Sequence, residues 1–124
     1  FSSAASDVFN LQLLDEAFHH TLLRATGALD VSTTFVRLHD RVRIVRRLDF
    51  LYGDCVQLTY DEHAAILGAI AQRDSAAALR LMTAHIEDSH VSVRQLTLHH
   101  LHSVRSGASA ERLPYLPLKM QRLS

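Results

Sequence analysis

Cysteine is all but missing from this sequence: Cys55 stands alone, so no internal disulfide can form and the chain fits a reducing compartment. Cys55 reads as a bystander rather than a nucleophile. Proline (2) and glycine (4) are scarce too, against 48% hydrophobic residues. Punctuation so thin favours long uninterrupted elements, which points to helices. Net charge is lacking as well, because 13 Lys and Arg balance 13 Asp and Glu. That removes the attraction for phosphate on which nucleic-acid binding draws, so this piece is not expected to grip DNA alone. No apolar run approaches the roughly 20 residues needed to span a bilayer. The opening Phe1-Ser2-Ser3-Ala4-Ala5-Ser6 has no charged segment followed by an apolar one, so no export signal is read there. The expectation is a soluble, cytoplasmic protein with no membrane contact. Its 124 residues suffice for one core and not for two comfortable ones. The sequence does not begin with Met and enters helical periodicity almost at once, so an upstream part is expected to be missing.

Histidine is the one residue in excess, nine in all. Placing residues at about 100° per position assigns four helices and puts three of these imidazoles on buried faces. Asp7 reads as the cap of a first helix running to about Ala25, with Gly27 as its stop. Leu11, Leu14, Phe18, Leu22 and Ala25 form its apolar stripe, with Gln12, Glu16, His20 and Arg24 opposite. Asp15 falls inside the stripe and His19 at its edge, and a buried carboxylate must be paired, protonated or bound to a cation. A second helix is read over Leu29 to Leu51, with Val31, Phe35, Leu38, Val42 and Val45 inward and Arg37, Arg41, Arg43 and Arg47 outward. Arg46 borders the apolar stripe, where it can hold an anion or lay its stem over the core. Tyr52-Gly53-Asp54 is a break, and Thr59 with Glu62 reads as a capping box. The third helix then runs to about Gln72 with Ile66, Leu67 and Ile70 inward and His63 among them. Asp74 caps a fourth helix from Ser75 to about Val104, lined by Ala78, Met82, Ile86, Val93 and Leu96, with His85 in the middle of that line. His90 and His102 lie off this face, and the run His99-His100-Leu101-His102 is better read as an exposed helix end than as a second metal site. Residues 1–105 are taken as one domain and 106–124, with Pro114 and Pro117, as a tail.

One core histidine is ordinarily structural. Four metal-type side chains on inward faces are harder to dismiss, and Asp15 and His19 sit on adjacent turns, close enough to share an ion. Three imidazoles and one carboxylate suit zinc, nickel, cobalt, manganese or iron(II), and not calcium, which wants oxygen ligands. With neutral histidines the site would keep a charge of about +1 and attract an anionic ligand. Two Glu-x-x-His patterns, Glu16 to His19 and Glu87 to His90, are of the kind found in di-iron bundles. Glu16 and Glu87 fall on polar faces and Glu62 is assigned to the cap, so a di-iron oxidase ranks low. A metal-dependent hydrolase would want a general base that the sequence does not offer beyond the ligands. A purely structural metal site, saturated by four ligands, is the other alternative.

Leu14-Asp15-Glu16-Ala17-Phe18-His19, then Glu62-His63-Ala64-Ala65-Ile66-Leu67-Gly68-Ala69-Ile70, then Asp74, Ala78, Met82 and His85-Ile86 together resemble the FCD domain, the C-terminal effector domain of FadR-type regulators in the GntR family. The resemblance covers about residues 7–104. It implies an all-α antiparallel bundle whose central pocket holds a divalent metal through Asp15, His19, His63 and His85. It further implies a non-enzymatic, homodimeric transcription regulator, in which a small organic acid binds at or beside the metal. That acid alters the DNA affinity of an N-terminal winged helix-turn-helix, which this chain lacks. The helical region that usually precedes the Asp-x-x-x-His helix is also missing. Ala28 stands where the family often has Asn, and the tail from Ser106 onward has no counterpart.

Overall fold

Scarce glycine and proline let the backbone run in four long helices, and the structure, a computed structural model, describes residues 3–52 and 56–106. They are α1 (Ser3–Ala25), α2 (Leu29–Tyr52), α3 (Val56–Ala71) and α4 (Ser75–Ser106), with no strand among the described residues. No described helix is long and apolar enough to cross a membrane. The chain divides at Leu51 and Tyr52 into two units, one containing α1 and α2, the other α3 and α4.

In the first unit, α1 starts at Ser3, so Asp7 lies within the helix rather than capping it. The predicted stop is present: Gly27 takes φ 73°, a left-handed conformation that glycine adopts without steric cost. The N–H groups of Thr26 and Gly27 donate to the carbonyls of Leu23 and Arg24. After this turn α2 runs back along α1. Arg47 stacks over Phe9 at 5.4 Å, while at the other end His19 meets Phe35, so the helices are antiparallel.

The inward faces differ from the apolar stripes expected of them. Among the described side chains, Gln12 and Asp15 are buried on α1 and Ser32 on α2, whereas Leu14, Val31, Leu38 and Val42 are exposed. Polar side chains can occupy this interface because they find partners there. The Gln12 amide donates to the Arg43 carbonyl at 2.9 Å and its oxygen accepts from Arg47 at 3.4 Å. Glu16 accepts from Arg43 Nε and Nη2 at 3.3 and 3.2 Å, and Arg43 also pairs with Asp40. Arg43 and Arg47, expected to point away, therefore tie α2 to α1.

The second unit follows the apolar pattern more closely. Ile66, Ala69 and Leu96 form its buried hydrophobic centre, together with His63 and His85, although Leu67, Ile70 and Ile86 are exposed. Because α3 starts at Val56, Thr59 and Glu62 lie inside the helix and no capping box exists there. The N–H of Arg73 donates to the Ile70 carbonyl and that of Asp74 to Ala69, a paired closure with Arg73 held at φ 57°. Asp74 then caps α4 as expected, its Oδ1 accepting from the Ala77 N–H at 2.9 Å. The buried positions of α4, His85, Ser92, Leu96 and Ser103, repeat at alternating seven- and four-residue steps, the stripe of a helix packed along one side. The break at Gly53-Asp54, Cys55 and the tail from 107 onward lie outside the described residues.

Candidate metal centre

Within the first unit α1 supplies Asp15 and His19 one turn apart, and α2 supplies Arg46. Asp15 is 3% exposed, a depth at which a carboxylate needs a countercharge. Arg46 Nη2 donates to its Oδ2 at 2.8 Å, with the two side chains only 14% and 2% exposed. The other oxygen, Oδ1, faces His19 Nε2 at 3.7 Å. The His19 ring is set by aromatic neighbours, edge-on to Phe18 at 5.1 Å and tilted against Phe35 at 6.1 Å. Arg46, for which the sequence left open an anion or a stem laid over the core, pairs with the Asp15 carboxylate.

Within the second unit His63 on α3 and His85 on α4 turn their Nε2 atoms toward each other at 3.3 Å. The rings meet edge to face with centroids 4.8 Å apart. Two nitrogens bound to one tetrahedral ion at about 2.0–2.1 Å would stand about 3.3–3.4 Å apart, so this spacing suits a shared metal. On its far side His85 places Nδ1 2.7 Å from Glu62 Oε2. Metal-binding histidines ordinarily donate their second ring N–H to a carboxylate or carbonyl, and Glu62 occupies that place. Assigning Glu62 to a helix cap hid this contact in the sequence. Its position immediately before His63, one turn into an amphipathic helix, was the available signal.

The structure therefore brings together Asp15, His19 and Arg46 in one unit and His63, His85 and Glu62 in the other. His90 and His102 are exposed as predicted, and His99 is half-buried. The two Glu-x-x-His patterns are not inward-facing motifs: Glu16 is engaged by Arg43 and lies near His39 at 3.5 Å, and Glu87 is exposed. A cavity of ≈ 240 Å³ lies in the first unit, lined by Glu16, His20, Phe35, His39, Arg43 and neighbours, and not by Asp15, His19 or Arg46. Arg43 is already neutralised there by Glu16 and Asp40, which makes that cavity a poor trap for an anion.

Asp15, His19, His63 and His85 are a set of side chains that could hold a metal ion. The donor chemistry fits a borderline transition metal, being one carboxylate and three imidazoles. Compared with known proteins, the chain matches the FCD domain family over residues 2–88, a span that includes all four of these residues together with Arg46 and Glu62. No curated protein and no solved structure matches it.

Proposed function

Because this chain belongs to the FCD domain family, we propose that it is the effector-sensing domain of a GntR-type transcription regulator, with one divalent transition metal held by Asp15, His19, His63 and His85. The observation that carries this reading is the His63–His85 pair, whose facing Nε2 atoms at 3.3 Å are backed by a carboxylate on the outer nitrogen of His85. When bound, the metal would supply a fixed positive charge that attracts a small carboxylate. The protein's part is to orient the imidazoles and to keep Arg46 beside Asp15 as a second positive group. An effector carboxylate reaching Arg46 would compete with Asp15 for its guanidinium, and that competition couples effector binding to the α1–α2 contact.

FCD domains bind effectors and dimerise in GntR-type regulators. In this reading an acid favours one arrangement of a homodimer and so changes how winged helix-turn-helix domains joined to it engage DNA. The test has two parts. Elemental analysis should find about one metal ion per chain, lost in Asp15→Ala and His63→Ala and kept in His20→Ala. Operator affinity of the regulator carrying its DNA-binding domain should change with at least one carboxylate of a series varied in size; no change across the series counts against sensing, and no metal in the wild type counts against the site.

A further inference from the structure

The sequence assigns Glu62 to a helix cap, whereas the structure places it against a predicted metal ligand inside a single unit. Its Oε2 lies 2.7 Å from His85 Nδ1, with Glu62 22% and His85 2% exposed on their side chains. A carboxylate at that distance accepts a hydrogen bond from Nδ1–H, so a neutral His85 keeps its hydrogen there and its lone pair at Nε2. That lone pair is directed at His63 Nε2, 3.3 Å away. Two lone pairs do not face each other at this separation, so with this His85 tautomer it is His63 that donates, Nε2–H to His85 Nε2, and a cation can take that proton's place.

Resting on the metal reading above, we propose that Glu62 is a positioning residue: it fixes the His85 tautomer and ring so that Nε2 is presented beside His63 for the metal. Glu62 touches neither metal nor effector in this role and acts through His85. Losing such a partner ordinarily weakens metal binding about 10–100-fold.

The experiment compares wild type, Glu62→Ala, the isosteric Glu62→Gln and the exposed control Glu87→Ala in two measurements. The first is competition of the full chain with a chromophoric chelator for zinc alone. The second is nitrogen-15 NMR of the histidine side chains in the metal-free chain, which reports the tautomer without any metal. Expected results are a wild-type His85 protonated at Nδ1, a mixed tautomer and about 10–100-fold weaker zinc binding in Glu62→Ala, a smaller loss in Glu62→Gln, whose amide oxygen still accepts, and no change in Glu87→Ala. Unaltered zinc affinity in a folded Glu62→Ala chain, or an unaltered His85 tautomer, overturns the role of Glu62 while leaving the metal site standing. A wild type that binds no zinc and no other divalent transition metal overturns the metal reading and this proposal together.

Discussion

Arg46→Met, measured without metal, should be the most informative perturbation of the first unit. The substitution keeps an unbranched apolar stem and deletes the guanidinium that donates to Asp15 at 2.8 Å. Asp15 then remains a carboxylate with 2% of its side chain exposed. Breaking a buried pair from one side costs about 3–5 kcal/mol; Arg46 retains 14% exposure, so the lower figure, about 3 kcal/mol, applies. For a domain of this size that is roughly a 10 °C loss in Tm, and a large share of a total stability of about 5–15 kcal/mol. Urea denaturation in excess chelator gives the number, and a cycle with Asp15→Asn isolates the pair. With the carboxylate neutralised, Arg46→Met should cost little. Excess zinc should also narrow the gap between Arg46→Met and wild type, because a cation beside Asp15 offsets the same charge and stabilises the folded state by mass action. A coupling energy below about 0.5 kcal/mol would refute the claim that this pair is what makes Asp15 tolerable in the fold.

Asp74→Ala removes the cap of α4, whose Oδ1 accepts from the Ala77 N–H, and should cost about 1 kcal/mol in urea denaturation. The two left-handed turn residues predict opposite signs. Gly27→Ala should destabilise by about 1 kcal/mol through the backbone alone, since nothing lies within 4 Å of the added methyl group. Arg73→Gly, at φ 57°, should stabilise by less than about 1 kcal/mol, because relief of the left-handed strain is partly offset by the freer unfolded chain.

The four helices were legible because two of their boundaries are chemically unambiguous: Gly27 ends α1 and Asp74 opens α4, each by a local interaction that needs no tertiary partner. The starts of α1 and α3 were misplaced by several residues for the converse reason. Asp7 and Thr59 have cap-forming side chains, yet residues before them continue the helix, and a capping residue inside a helix is decided by what precedes it. The inward faces of α1 and α2 were misread because hydropathy assigns Gln12, Glu16 and Arg43 to solvent one at a time. Gln12 is buried and Glu16 half-buried because they meet Arg43 across the helix pair, information that no single helix carries.

The site was legible as a set of residue types, but the structure redistributes the support for it. Burial of Asp15 was the first reason to invoke a cation, and Arg46 now supplies a positive charge at hydrogen-bond distance, so burial of that carboxylate alone no longer requires a metal. The two imidazoles of the second unit carry more weight. Neutral histidines need no countercharge, and core packing can hold them apart as readily as together. Their Nε2 atoms nevertheless face each other at ligand spacing, and a half-buried glutamate sits on the outer nitrogen of one of them. A carboxylate there raises the basicity of the opposite nitrogen, which adds little to a purely structural histidine and strengthens a metal ligand. On the proposed reading, a cation sharing the charge of Asp15 would leave the Arg46 guanidinium, which pairs with that carboxylate in the metal-free protein, available to an effector carboxylate. Metal loading should therefore precede tight effector binding, and an effector whose affinity is the same with and without metal would break that order.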